Sequence, residues 1–129
     1  MVMLFTNEKV RAHLLEHGIV YSFRKNHPKT SDGMRKQIGD DWAAAKRTGK
    51  KIADIHITPM QTLNLMNVGL VLTRYAEESG FYLGHGRVAA AVSEWVKAIE
   101  NLNSGYIPAG WIYKVEIREN QTPNQKVRE

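Results

Sequence analysis

Three stretches of this chain alternate apolar and polar residues with period two, and they limit its folding more than any other feature: IVYSFRK at 19–25, KIADIHIT at 51–58 and WIYKVEIRE at 111–119. Successive side chains of a strand point to opposite faces, so each stretch reads as a strand with one row for a core and one turned away. In the first, Tyr21 and Phe23 are assigned to the core with Ile19, and Val20, Ser22 and Arg24 share the other face. In the second, Ala53, Ile55 and Ile57 oppose Asp54, His56 and Thr58, and in the third Trp111, Tyr113, Val115 and Ile117 form one row.

Helical spacing fills much of the remainder. MLF at 3–5 reads as a short opening strand, and Thr6 or Asn7 caps a helix over 7–17 that Gly18 ends. DDWAAAKRTG at 40–49 predicts a short helix with acids at its start and Gly49 at its end. The chain from Leu63 to Glu78 reads as mostly helical. A further helix over 87–103 carries Val88, Val92, Trp95, Val96, Ile99 and Leu102 on one stripe. Strands and helices mixed without regular alternation predict an α+β fold rather than a doubly wound sheet.

At 129 residues, 43% hydrophobic and 24% charged, the chain has the size and composition of one core-forming domain, taken as 1–118 with a polar tail at 119–129. Without cysteine it forms neither a disulfide framework nor a thiolate metal site. No apolar run reaches the roughly 18 residues that mark a bilayer-spanning helix, and the start MVMLFTNEKV lacks a signal peptide's basic region and long apolar stretch. The expectation is a soluble, cytoplasmic protein without a membrane partner. His13 and His17 stand i, i+4, a zinc-chelating geometry, but no third ligand accompanies them and no metal is expected. GFYLGHGR at 80–87 lacks the Lys-Ser/Thr of a phosphate loop and reads as a turn, so no cofactor is expected either.

The net charge of +5 is local. Between Arg24 and Lys51 nine basic residues face three acidic ones, a balance of +6, which leaves −1 for the rest of the chain. A local excess builds a positive potential that draws polyanions. A strand fixes the direction of its side chains, so Ser22 and Arg24 are expected to line one wall of a cleft, with Lys25, Lys29, Arg35, Lys36, Lys46, Arg47, Lys50 and Lys51 supplying phosphate partners. His27 adds a stacking or hydrogen-bonding surface, and Trp42 is a candidate platform for an unpaired base.

An opening MLF, a helix, a strand ending in Arg24, a basic loop, the strand GKKIADIHIT, then AEESGF, a Trp-bearing helix and a final strand together resemble the ASCH domains of the PUA-like superfamily over roughly residues 3–118. The resemblance implies a small pseudo β-barrel with flanking helices and a cleft suited to RNA or a modified nucleoside. Of the G-x-K-x-x-E-x-R series of such domains, the register set by Arg24 keeps only the Arg: Ser22 stands at the Glu, Ile19 at the Lys and His17 at the Gly. Relatives that hydrolyse acetylated cytidine use a Lys and a Thr on this strand. An apolar Ile19 can neither activate a nucleophile nor move a proton, which favours binding over catalysis. The leading expectation is therefore a nucleic-acid-binding domain, for RNA in particular. The alternatives are a nucleoside hydrolase using Ser22, Asp54 and His56, and an interaction domain that meets an acidic protein.

Overall fold

The computed structural model describes residues 2–25, 39–46, 48–83 and 87–118. The expected binding residues His27, Lys29, Arg35, Lys36 and Arg47, and the polar tail at 119–129, lie outside the described residues. No described helix is long and apolar enough to cross a membrane.

Five strands form one sheet: β1 (Val2–Leu4), β2 (Ile19–Lys25), β3 (Gly39–Ala44), β4 (Lys51–Leu63) and β5 (Gly110–Ile117). Their spatial order is β1-β3-β4-β5-β2, with β1 parallel to β3 and every other pairing antiparallel. The helices are α1 (Glu8–His17), α2 (Val68–Tyr75) with a 3-10 turn at Ala76–Glu78, and α3 (Val88–Leu102).

The sheet curls because its long central strand bends twice. Register shifts occur opposite Ala43/Ala44 and between Pro59 and Gln61, leaving Ile52 and Met60 as extra residues on β4, and such bulges bend a strand and tighten its twist. At Pro59, β4 pairs with β5 and, among the described residues, with no other strand, a position where the missing N–H of proline is tolerated. The stagger is large: Leu4 lies in the row of Ala44 and Lys51, whereas Arg24 lies in the row of Trp111 and Thr62, 62 − 51 = 11 residues further along β4. A sheet staggered in this way closes on itself like a barrel. The result is a half-barrel whose free edges, β1 and β2, approach each other without pairing.

Side chains from the sheet and all three helices form the core, with Leu14, Val20, Ile55, Leu72, Ile112 and Val115 fully buried. Asn7 caps α1 by accepting hydrogen bonds from the Lys9 and Val10 amides, and Gly18, at φ 78°, ends it with its N–H on the Leu14 carbonyl. α3 buries Ala91, Trp95 and Ile99.

Three sequence expectations need correction. DDWAAA forms a strand, not the start of a helix: Ala43 and Ala44 are fully buried and pair with β1 on one side and β4 on the other, which overrides the helix preference of alanine. β4 outruns the expected strand at 51–58, continuing through Pro59 to Leu63, and the stretch from Leu63 to Glu78 is mostly helical as expected, from Val68 on, after a turn in which Asn64 and Asn67 accept from each other's backbone N–H. On β2 the fully buried row is Val20 with Ser22, while Tyr21 and Phe23 are half-buried and Tyr21 packs on Tyr75 at 4.8 Å. Helices flank this edge strand, so both of its faces are covered.

Candidate functional site

The gap between the two edge strands holds a cavity of about 210 Å³. β1 and its exit contribute Leu4 and Phe5, β2 contributes Ser22, Phe23, Arg24 and Lys25, and the first turn of α1 contributes Val10. Phe81 and the α3 residues Trp95, Ile99 and Leu102 form the remaining apolar wall.

Arg24 is the unusual member. Its guanidinium carbon lies 4.9 Å from the centroid of the Phe5 ring, a cation–π distance. Its Nε is buried without a hydrogen-bond partner among the described residues. Burial pushes its pKa down to about 10, an effect that Tyr113 partly opposes. The group therefore stays cationic at neutral pH, in surroundings that disfavour the charge. Backbone geometry fixes its position: a side chain on Gly110 would run into the Arg24 carbonyl and the Phe23 ring, so only glycine lets β5 approach β2 this closely.

Ser22 and Arg24 line the cavity together, as their shared strand face implies, Ser22 buried and Arg24 half-buried. Lys25 is exposed and also borders the cavity. Trp42, Lys46, Lys50 and Lys51 do not. Trp42 is half-buried on β3, paired in register with Asp54, and Lys51 forms a salt bridge of 3.1 Å with Asp54. The described cations thus divide between the cavity and the β3–β4 hairpin.

Asp54 and His56 do share the outer face of β4, but His56 pairs elsewhere. Its Nδ1 lies 2.9 Å from Asp40 Oδ1, and Arg118 Nε lies 3.6 Å from the same oxygen. The hydrogen bond from His56 holds the Asp40 carboxyl below its ordinary range, with Arg118 adding to the effect. Neither Asp54 nor His56 borders the cavity that holds Ser22, so the three candidate catalytic residues are not assembled into one site. His13 and His17 stack at 4.4 Å, and His13 Nε2 meets Glu78 Oε1 at 2.7 Å. Among the described residues no group of three His, Cys, Asp or Glu side chains is arranged to hold a metal.

Sequence reasoning missed the cavity's far wall. Phe5, Phe81 and Trp95 lie far apart in sequence, and each reads as ordinary core. The only signal was the stripe on α3, whose Leu102 remains 72% exposed at the helix end.

A second concavity, between the end of α1 and the end of β5, is bordered by Glu16 and Glu116 and offers no comparable cation. Comparison with protein-family models, with curated proteins and with solved structures finds no match.

Proposed function

We propose that this domain binds single-stranded nucleic acid, RNA in particular, by drawing one nucleotide into the cavity between β1 and β2. The observation that carries the reading is Arg24: a cation in a mostly apolar cavity, facing no carboxylate among the described residues and with an unsatisfied Nε. Burying a charge costs free energy unless an opposite charge meets it, so the site favours an anion. Its planar fork suits a phosphate. Phe23, half-buried, and the exposed Leu102 supply aromatic and apolar surface for a base at the cavity's border.

The size fits one unit. Dry cavities of about 150 Å³ accept a benzene ring, and pockets for drug-sized ligands start at about 300 Å³. At about 210 Å³ the cavity holds the phosphate and one ring of a single nucleotide, the rest lying in its mouth, and not two stacked bases. The curled half-barrel with flanking helices agrees with a PUA-like pseudo-barrel, the fold that the ASCH resemblance implies, and we adopt that assignment as part of the proposal. The excess charge of residues 24–51 would attract the strand before docking.

Titrating labelled single-stranded RNA by fluorescence anisotropy across a salt series tests this. Log affinity is expected to fall with log salt by about 0.7 for each phosphate contacted, and Arg24→Gln is expected to weaken binding roughly tenfold. No binding at low salt, or binding indifferent to Arg24, would overturn the proposal.

A further inference from the structure

The cavity suits one particular part of a strand, and this step rests on the reading above that it receives a nucleotide. We infer that it takes a nucleotide bearing a terminal phosphate monoester, either at the end of a strand or as a free mononucleotide, with Arg24 as the phosphate anchor.

Three observations converge. The buried Arg24 Nε has no partner, and no carboxylate among the described residues pairs with the guanidinium. The guanidinium borders the cavity with no carboxylate among the described residues to neutralise it, which leaves its charge for an anion with several free oxygens. A terminal monoester offers three acceptor oxygens and a charge near −1.5 to −2, whereas an internal diester has two of its oxygens committed to the chain. Size is the second observation. About 210 Å³ admits one ring-bearing unit, and an internal nucleotide would also need its chain to enter and leave through the same opening. A terminal unit needs one exit. Third, Thr6, Asn7 and Val10 place the first turn of the ten-residue α1 on the cavity, so the positive end of a helix dipole acts on the same space as the guanidinium. Lys25, exposed at the border, is placed to meet the next phosphate along a strand.

The test compares one short RNA prepared with a 5′-phosphate, with a 3′-phosphate or with hydroxyl groups at both ends, using AMP, adenosine and inorganic phosphate as competitors. One phosphorylated form is expected to bind roughly ten- to hundredfold more tightly than the hydroxyl form. Arg24→Gln should abolish the difference, and Arg24→Lys should retain part of it. Ala98→Leu, which narrows the cavity while leaving Arg24 in place, should also remove it, so the test does not depend on one variant folding. AMP competing as well as the phosphorylated strand identifies the free mononucleotide as the ligand; weak AMP competition identifies the strand end. Equal affinity for phosphorylated and hydroxyl ends, with binding still dependent on Arg24, would overturn the end-binding inference and leave nucleic-acid binding standing. Inorganic phosphate competing as well as AMP would overturn it too, because the apolar walls would then contribute nothing.

Discussion

The Arg24 guanidinium lies over the Phe5 ring, 4.9 Å from its centroid, and so links β2 to the exit of β1, strands at opposite edges of the sheet that never pair. An aromatic face is a weak substitute for a carboxylate. Exposed cation–π contacts contribute about 0.5–1 kcal/mol and desolvated ones about 2 kcal/mol, less than the several kcal/mol that dehydrating a guanidinium costs. The site thus holds an incompletely compensated charge that a ligand can relieve.

Replacing that charge is expected to stabilise the unliganded protein. Arg24→Met keeps the apolar stem and removes the burial penalty. Burial pushes the pKa of this guanidinium down to about 10, so a gain of about 1–3 kcal/mol in urea denaturation at pH 7 is expected for the variant, together with loss of anion binding. Because burial lowers the pKa of this base, the penalty is complete below about pH 10 and fades as the pH rises further toward the guanidinium's ordinary range. The advantage of the variant should therefore shrink above pH 10. A wild-type protein more stable than Arg24→Met at pH 7 would contradict this account.

Filling the cavity should separate binding from stability in the same direction by different means. Ala98 lines the cavity from α3, and Ala98→Leu adds apolar volume there without touching the charge. We expect nucleotide affinity to fall at least about tenfold, with stability unchanged or raised by about 0.5–1 kcal/mol. Calorimetric titration with AMP and thermal unfolding of the same sample read both quantities.

Gly110 tests the backbone that positions Arg24. A Cβ there would lie 2.6 Å from both Phe23 ring carbons, Cε1 and Cζ, and would collide with the Arg24 carbonyl. Overpacking of this kind costs about 1–3 kcal/mol or more. Gly110→Ala is expected to lower the urea midpoint accordingly and to shift the Arg24 side-chain signals in NMR spectra. Unchanged stability would mean that β5 and β2 can separate freely.

The exposed triad of Asp40, His56 and Arg118 gives a pH prediction. The His56 hydrogen bond lowers the Asp40 pKa below its ordinary 3.8. Any stability gained this way is present above the unfolded carboxyl's pKa and is lost as the pH falls through the lower folded value. In a carboxyl-carbon NMR titration, His56→Ala should raise the Asp40 pKa toward 3.8 and leave the Arg24 cavity unchanged.

The alternation in IVYSFRK, KIADIHIT and WIYKVEIRE marked three of the five strands correctly, because a period of two survives any tertiary arrangement. The α3 stripe and the Gly18 stop were legible for the same local reasons. Asp40 to Ala44 was not. Alanines favour a helix unless neighbours on both sides demand a flat, narrow strand, and those neighbours, Met3 and Ala53, are distant in sequence. At the site, the shared face of Ser22 and Arg24 could be read from strand geometry, but its burial could not. It depends on β1 and β2 connecting, through β3 and β5, to opposite ends of β4, which long-range pairing sets rather than local pattern.

That pairing also bears on the order in which the protein assembles. Met3 finds its partner Ala43 forty residues later, so Phe5 cannot reach Arg24 until the β3–β4 hairpin exists to receive β1. Contacts of such long sequence separation form late and open early. The amides of β1 should exchange with deuterium sooner than those of β4 and β5. A nucleotide held between the edges would slow them selectively, acting as the clasp that the backbone itself does not provide.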